Sequence, residues 1–161
     1  MRIDGAVEAP GTFGKADLAA IAGEDPVPDV SVYQPARRGA AVRLEGLLRA
    51  VRPLDEANYL TLHAGRDDFH VSIPLGPVRG EAVVVYEIEG RALTASEGGP
   101  FRFLILNPAA CHTAELDDCA NVKYLDRIEL RVRPGRDTRP RDEAEHAALH
   151  AREQGERLSG S

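Results

Sequence analysis

Hydrophobic and polar residues alternate along several short segments of the chain, and this alternation predicts β-strands. The clearest case is a hairpin, in which residues 59–63 and 68–73 alternate on either side of a polar loop. One face of this hairpin is apolar, and the other carries Thr61, His63, His70 and Ser72. A further alternating segment, residues 126–132, predicts a strand with one polar face.

Two segments predict short helices, and the second has apolar residues at helical spacing. Residues 15–21 predict a short helix that ends at Gly23, and residues 43–51 predict a second, which Pro53 ends. A polar, alanine-rich pattern over residues 141–158 predicts a third helix with few apolar side chains. Two other segments, residues 30–33 and 81–89, are candidate strands.

The most informative apolar run is residues 101–106, because it contains a charged side chain. Gly98-Gly99-Pro100 precedes the run and Asn107-Pro108 stops it, which is typical of a strand covered on both faces. Arg102 lies within it, on the same side as Leu104 and Leu106. A buried guanidinium needs a partner, and either an internal carboxylate or a bound anion would serve.

These elements predict an α+β fold with mixed, mainly antiparallel sheets and short helices. At 161 residues the chain is long enough for one domain with a real core. We predict a folded domain over residues 1–134, followed by a charged linker and helical tail over residues 135–161.

The composition of the chain argues against several classes of function. The net charge of −6 argues against a general nucleic-acid surface. Apolar runs are too short to predict a membrane partner, and the first ten residues lack the apolar centre of a signal peptide, so we expect a cytoplasmic location. Two cysteines are too few for a disulfide framework. Nothing in the sequence identifies a protein partner.

The turn and strand of residues 98–103, with Pro108 and residues 120–125 beyond them, resemble the molybdopterin-binding domain of sulfite-oxidase-type oxidoreductases. That family carries a G-x-P-x-R turn and strand, an N/S-x-K segment and a closing strand in this order. Further matching segments follow the same order, and the resemblance spans residues 4–132. They are residues 5–18, 46–48, 68–75 and 86–93.

The resemblance implies a molybdopterin-type cofactor, held through its phosphate by basic side chains. Charge-assisted hydrogen bonds from such donors offset the desolvation of a phosphate. The residues that this predicts as cofactor-binding are Arg37, Arg38, His70, Arg102 and Lys123. For Lys123 the alternative is a solvated position at a sheet edge.

The sequence departs from the family at its metal ligand. In the family a cysteine thiolate binds molybdenum, in a segment just before the G-x-x-L helix. Residues 30–43 match this segment and contain no cysteine, and Tyr33 or Gln34 stands at the approximate position. Neither side chain offers a soft sulfur ligand, so we predict no metal site of the ordinary kind.

Two function classes follow from this departure. The first is a stand-alone molybdopterin-binding-like domain that is not an ordinary molybdenum oxidoreductase, with a cofactor bound or none. The second is a non-catalytic module that keeps the fold and binds a small anion or a protein.

Other chemistry-bearing residues admit two interpretations each. His63 and His70 face each other across the hairpin if its loop is short, where they would share a metal or a proton, or they are two imidazoles on a wet face. Cys111 and Cys119 are inert thiols, or one is a nucleophile activated by His112. His146 and His150 hold zinc weakly or belong to a solvated helix face.

Overall fold

The computed structural model of the chain describes residues 1–107 and 121–139. Within these ranges the predicted α+β fold is confirmed, with two sheets and short helices. The α-helices are α1 (Lys15–Ala22), α2 (Leu44–Val51) and α3 (Leu75–Val78). The strands are β1 (Arg2–Gly5), β2 (Gly11–Thr12), β3 (Ala40–Arg43), β4 (Tyr59–Ala64), β5 (Phe69–Pro74), β6 (Ala82–Glu87), β7 (Arg102–Ile105) and β8 (Arg127–Arg131).

The larger sheet has the strand order β2-β1-β8-β4-β5. Its β1–β8 pair is parallel, and its other pairs are antiparallel. The predicted hairpin is β4–β5, and the short 3₁₀ turn Gly65–Asp67 sets a register in which His63 stands opposite His70. The apolar face of this sheet enters the main core together with the buried side of α2, including Leu44, Leu47 and Leu48.

The smaller sheet, β3-β6-β7, is antiparallel throughout and apolar on both faces. Along β7, Phe103 and Ile105 point into the main core, whereas Leu104 joins a second apolar cluster on the opposite face. That second cluster also contains Val83 and Val85 of β6. The continuous apolar run of residues 101–106 therefore reflects burial on two sides, as its pattern predicts.

One strand prediction is wrong. Residues 30–33 do not form a strand, because Val30–Val32 is a 3₁₀ turn. The side chain of Asp29 accepts a hydrogen bond from the Ser31 amide at 3.0 Å, which caps this turn. An Asp in this position competes with strand pairing for the backbone donors that follow it, so the apolar residues Val30 and Val32 alone were a misleading signal.

Residues 135–139 lie along the outer edge of β5, and we refer to them as the strap. The amide of Gly135 donates to Ser72 Oγ at 2.9 Å, and the amide of Thr138 donates to the His70 carbonyl at 2.8 Å. Asp137 accepts from the Ser72 amide at 3.1 Å. The strap thus satisfies backbone groups that an edge strand would leave open. The proposed domain boundary at residue 134 stays a prediction.

Other predictions lie outside the described residues. They concern both cysteines, His112, and the tail helix with His146 and His150. In the part of the chain that is described, no helix has the length and apolar character needed to cross a bilayer.

Candidate functional site

A pocket of about 160 Å³ lies on the outer face of the smaller sheet, against the second apolar cluster. Apolar side chains form its floor, and most of the side chains at its rim are charged. The floor consists of Val85, Ile88, Leu93 and Leu104, and the rim of Ala36, Arg37, Arg38, Glu97 and Arg102. Three arginines against one glutamate make the rim cationic, which suits an anionic ligand.

The loop that carries Arg37 and Arg38 is held at both ends. Asp29, which caps the 3₁₀ turn at the start of the loop, also accepts a hydrogen bond from the Gly39 amide at 3.3 Å. The Val30 amide donates to the Gly39 carbonyl at 2.9 Å. Hydrogen bonds from the backbone and side chain of Ser31, and then from the Gly39 amide, lower the pKa of Asp29, so its carboxylate stays charged near neutral pH. The loop is therefore closed into a fixed arc beside the sheet.

Gly39 is required at the end of this loop. Its φ is +119°, a backbone conformation that side chains with a Cβ rarely adopt. A Cβ at this position would lie 2.8 Å from the Glu87 carbonyl oxygen and 2.8 Å from Cγ1 of Val85. Glycine thus lets the loop approach β6 closely enough for Arg37 and Arg38 to reach the pocket.

Arg38 and Arg37 differ in their partners. Arg38 contacts Glu89 at 3.0 Å and Glu97 at 3.5 Å. Within the described residues, the half-buried guanidinium of Arg37 forms neither a hydrogen bond nor an ion pair. Because a cation in a partly desolvated pocket gains from an opposite charge, Arg37 is the side chain best placed to bind an anion.

Glu97 is the anionic member of the rim, and it is strongly bound by its neighbours. Its Oε1 accepts from Arg91 at 2.7 Å and from the Thr94 amide at 2.9 Å. The hydrogen bonds from Arg91, and then that from the Thr94 amide, lower the pKa of Glu97 to about 2. Glu97 therefore remains charged at neutral pH and holds Arg38 and Arg91 at the rim.

Three of the five predicted cofactor-binding residues meet in this pocket, and they are Arg37, Arg38 and Arg102. Arg102 reaches it from β7 on the same side as Leu104, as the alternation predicts. Lys123 packs beside the turn at Gly98, close to the stem of Arg102, but does not line the pocket. The structure thus brings Arg102 together with Arg37 and Arg38, each of which lies 64 or more residues away from it in the sequence.

His70 does not join the pocket. It lies on β5 of the larger sheet, where its ring contacts that of His63. The hairpin directs this side chain to the polar face of the other sheet, and its predicted role in cofactor binding stays a prediction.

Sequence reasoning missed Glu97. The segment Thr94-Ala95-Ser96-Glu97 forms a capping box around the 3₁₀ turn Ala95–Glu97. A Ser or Thr followed three residues later by Glu is the sequence signature of this motif, so the signal was present. The apolar floor could not be foreseen in the same way, because Leu104 reaches Val85 only through the pairing of β7 with β6.

Tyr33 and Gln34, which stand at the position that matches the family's metal-ligand segment, both contact other protein groups. Tyr33 is about half exposed, and its hydroxyl accepts from Arg43 at 3.0 Å. The amide nitrogen of Gln34 donates to the carbonyls of Ile105 and Leu106 at 2.7 and 3.1 Å. Both side chains are committed to protein partners, and neither carries the soft sulfur that such a metal centre uses.

Comparison with known proteins identifies the family of the chain. Residues 39–138, more than half of the chain, match the family model described as the oxidoreductase molybdopterin binding domain. A search of curated proteins finds no match.

Among solved structures, the chain resembles the sulfane dehydrogenase SoxCD from Paracoccus pantotrophus, with a TM-score of 0.58 and 20% sequence identity. The match covers 83% of this chain and 38% of that chain, so the likeness concerns a fold shared with a minor part of a larger protein.

Proposed function

Because the chain belongs to the family of oxidoreductase molybdopterin-binding domains, we propose that it binds a phosphate-bearing ligand in the pocket beside β7. In this proposal Arg37, Arg38 and Arg102 hold the phosphate through charge-assisted hydrogen bonds. The ligand is a molybdopterin-type cofactor or a fragment of one. Such a cofactor, when it carries its metal, supplies oxidation and reduction chemistry.

The observation that carries the proposal is the position of Arg37. Its guanidinium lines the pocket and makes no polar contact within the described ranges, whereas Arg38 is shared between two glutamates. An anion that reaches the pocket therefore gains a full cation from Arg37 without breaking an existing ion pair. The fixed arc of the loop reduces the conformational entropy that binding would otherwise cost.

We further propose that the domain is not an ordinary molybdenum oxidoreductase. The segment that matches the family's metal-ligand position has no cysteine, and Tyr33 and Gln34 are bound to other groups. An oxygen or amide ligand in place of a thiolate would bind a soft metal centre weakly. The same rim of arginines would still hold the phosphate.

A second candidate is a non-catalytic module that binds a small oxyanion. The size of the pocket favours it, because about 160 Å³ is smaller than the roughly 300–1,000 Å³ typical of pockets that enclose larger organic ligands. Sulfate or phosphate would fit beside Arg37 without the pterin part of a cofactor.

Thermal unfolding with added ligand tests the pocket. We expect phosphate, pyrophosphate or sulfate to raise the melting temperature of the full chain through binding to the native state. The Arg37→Gln variant should lose roughly tenfold or more in affinity, as expected for one charge-assisted hydrogen bond. Arg49→Gln is the matched control, because Arg49 is exposed on α2 and does not line the pocket. Equal losses in both variants would remove the pocket as the binding site.

Metal analysis separates the two candidates. Protein from a host that makes molybdopterin should contain pterin but little molybdenum if the first candidate is right, and neither if the second is right. Molybdenum in a one-to-one ratio with protein would contradict the absence of an ordinary centre. Serine variants of Cys111 and Cys119 would then identify which thiol supplies the ligand.

A further inference from the structure

His63 and His70 face each other across the β4–β5 hairpin on the polar side of the larger sheet. Their Nδ1 atoms are 2.7 Å apart, and the ring planes meet at 73°, with centroids 4.9 Å apart. Both side chains are largely buried, with 14% and 10% of their surface exposed. At 2.7 Å two nitrogen atoms are in contact only if a proton lies between them.

The outer nitrogens of both rings are also engaged. Nε2 of His63 lies 3.1 Å from Oε1 of Glu129, and Nε2 of His70 lies 2.9 Å from Oδ1 of Asp68. We refer to Glu129, His63, His70 and Asp68 as the histidine cluster. It is one continuous row of three hydrogen bonds that runs from β8 to the hairpin loop.

Counting protons in this row fixes its charge state. A carboxylate only accepts, so each Nε2 must carry a proton, and the central contact needs one more on an Nδ1. Three ring protons on two imidazoles are one more than two neutral rings possess. The extra proton makes the pair a cation, which the carboxylates at either end stabilise.

Both carboxylates also have cationic neighbours. The hydrogen bond from His70, followed by the charge of Arg136, lowers the pKa of Asp68. Oε2 of Glu129 lies 3.1 Å from Nη1 of Arg131 and 3.6 Å from Nη2 of Arg127. These arginines satisfy the outer oxygens, so both ends of the row act as hydrogen-bond acceptors.

We propose that His63 and His70 share one proton and that this proton controls how firmly the strap is held on β5. The strap contacts the cluster in two ways. Thr138 exchanges hydrogen bonds with the backbone of His70, and Arg136 lies 3.2 Å from Asp68. When the shared proton leaves, one of the three links in the row must break, and two of these links are made by His70, whose backbone also holds Thr138.

Other charged groups around the cluster do not change this count, because they are permanently charged or paired. They are Arg127 and Arg131 on β8, Asp4 on β1, which pairs with Arg127, and Arg136, Asp137 and Arg139 on the strap. The proton shared by the two imidazoles is therefore the variable member of the row.

The direction of the pH effect follows from proton linkage. With the strap docked, the cluster binds one more proton than it does when the row is broken. Raising the pH therefore favours release of the strap, and lowering it towards mildly acidic values favours docking. For one linked proton, the ratio of released to docked strap rises by at most about tenfold for each pH unit.

Limited digestion with trypsin measures this ratio, because the strap contains Arg136, whereas Arg139 is followed by Pro140 and is not cleaved. The full chain is digested between about pH 6 and pH 8, and cleavage after Arg136 is followed by mass spectrometry. A synthetic peptide of residues 130–142 corrects for the pH dependence of the protease. We expect the corrected rate to rise with pH. A rate independent of pH would overturn the proposal.

A variant assigns the effect to the cluster. In His63→Gln the pair cannot share a proton, so the corrected rate should be independent of pH. Arg49→Gln, which changes an exposed side chain on α2, should behave like the unchanged protein. The same rise with pH in His63→Gln would overturn the proposal.

Nitrogen-15 NMR of the unchanged protein gives a test that does not depend on the folding of a variant. Near pH 6 the two rings should carry three nitrogen-bound protons, one of them on Nδ1 and shifted strongly downfield. Near pH 8 that signal should be lost. Two neutral rings at the lower pH would contradict the shared proton directly.

Discussion

The guanidinium of Arg91 donates two hydrogen bonds to the carboxylate of Glu97, at 2.7 and 3.1 Å. This pair closes the segment between β6 and β7 over the pocket, and Glu97 also accepts from the amide and hydroxyl of Thr94. A single carboxylate thus holds the capping turn, Arg91 and Arg38 together at the rim.

Replacing Glu97 by Gln should destabilise the protein near neutral pH but not in strong acid. The folded-state pKa of Glu97 is about 2, below its ordinary value of 4.5. A lowered pKa contributes stability that is present above the ordinary value and is lost as the pH falls from about 4.5 towards 2. Urea unfolding of both proteins across this range should show two stability curves that converge at low pH.

Glu89→Gln is the control for this experiment. Glu89 also pairs with Arg38, but its side chain is 66% exposed, so its ion pair is expected to contribute little. A constant difference between Glu97→Gln and the unchanged protein at every pH would mean that the charge of Glu97 is not the source of the effect.

Gly39→Ala should weaken anion binding more than it weakens the core. The added Cβ would meet the Glu87 carbonyl and Val85, and the positive φ would become strained, at a cost of about 1–3 kcal/mol. The loop would shift and carry Arg37 away from the pocket. Titration calorimetry with phosphate checks the affinity, and urea unfolding checks the stability. Gly76→Ala is the control, because no atom lies within 4 Å of its added Cβ.

Phe103→Ala should destabilise the protein by about 3–5 kcal/mol. The ring is fully buried in the main core, on the face of β7 that points away from the pocket. Guanidinium unfolding measures the change. Phe69→Ala should cost less, since Phe69 is only partly buried. Similar losses for both would show that the core does not centre on β7.

Two truncations separate the strap from the tail. Ending the chain after Arg139 keeps every described contact of the strap, and ending it after Pro134 removes them. Each lost hydrogen bond is worth about 0.5–1.5 kcal/mol, so the shorter protein should melt several degrees lower than the longer one. Calorimetry compares the two, and identical melting temperatures would show that the strap adds nothing to stability.

Local patterns in the sequence predicted most of the fold. The hairpin and α2 have strong periodicity, α1 has a clear end signal at Gly23, and all three formed close to the expected positions. The pairing of His63 with His70 followed from the loop length alone. Residues 30–33 were predicted to form a strand because of their apolar side chains. They form a 3₁₀ turn instead, because Asp29 caps it.

The site was only partly predictable. Arg102 could be identified because a charge inside an apolar run is energetically costly without a partner. Its meeting with Arg37 and Arg38 depends on long-range sheet pairing, which no short pattern encodes. His70 was placed with the cofactor from its position in a motif, whereas the alternation of the hairpin sends it to the other sheet. The strap was predicted to be part of a linker, because the segment is rich in residues that interrupt helices and strands. That composition gives no sign of the hydrogen bonds between the strap and β5.

The alternation of β7 between two cores has a consequence for how proteins of this fold can diverge. Phe103 and Ile105 belong to the core that joins both sheets, whereas Arg102 and Leu104 belong to the pocket. Selection on ligand binding and selection on folding thus act on different positions of the same four-residue strand. A homologue can exchange the even-numbered residues, and with them its ligand, while its odd-numbered residues keep the protein folded.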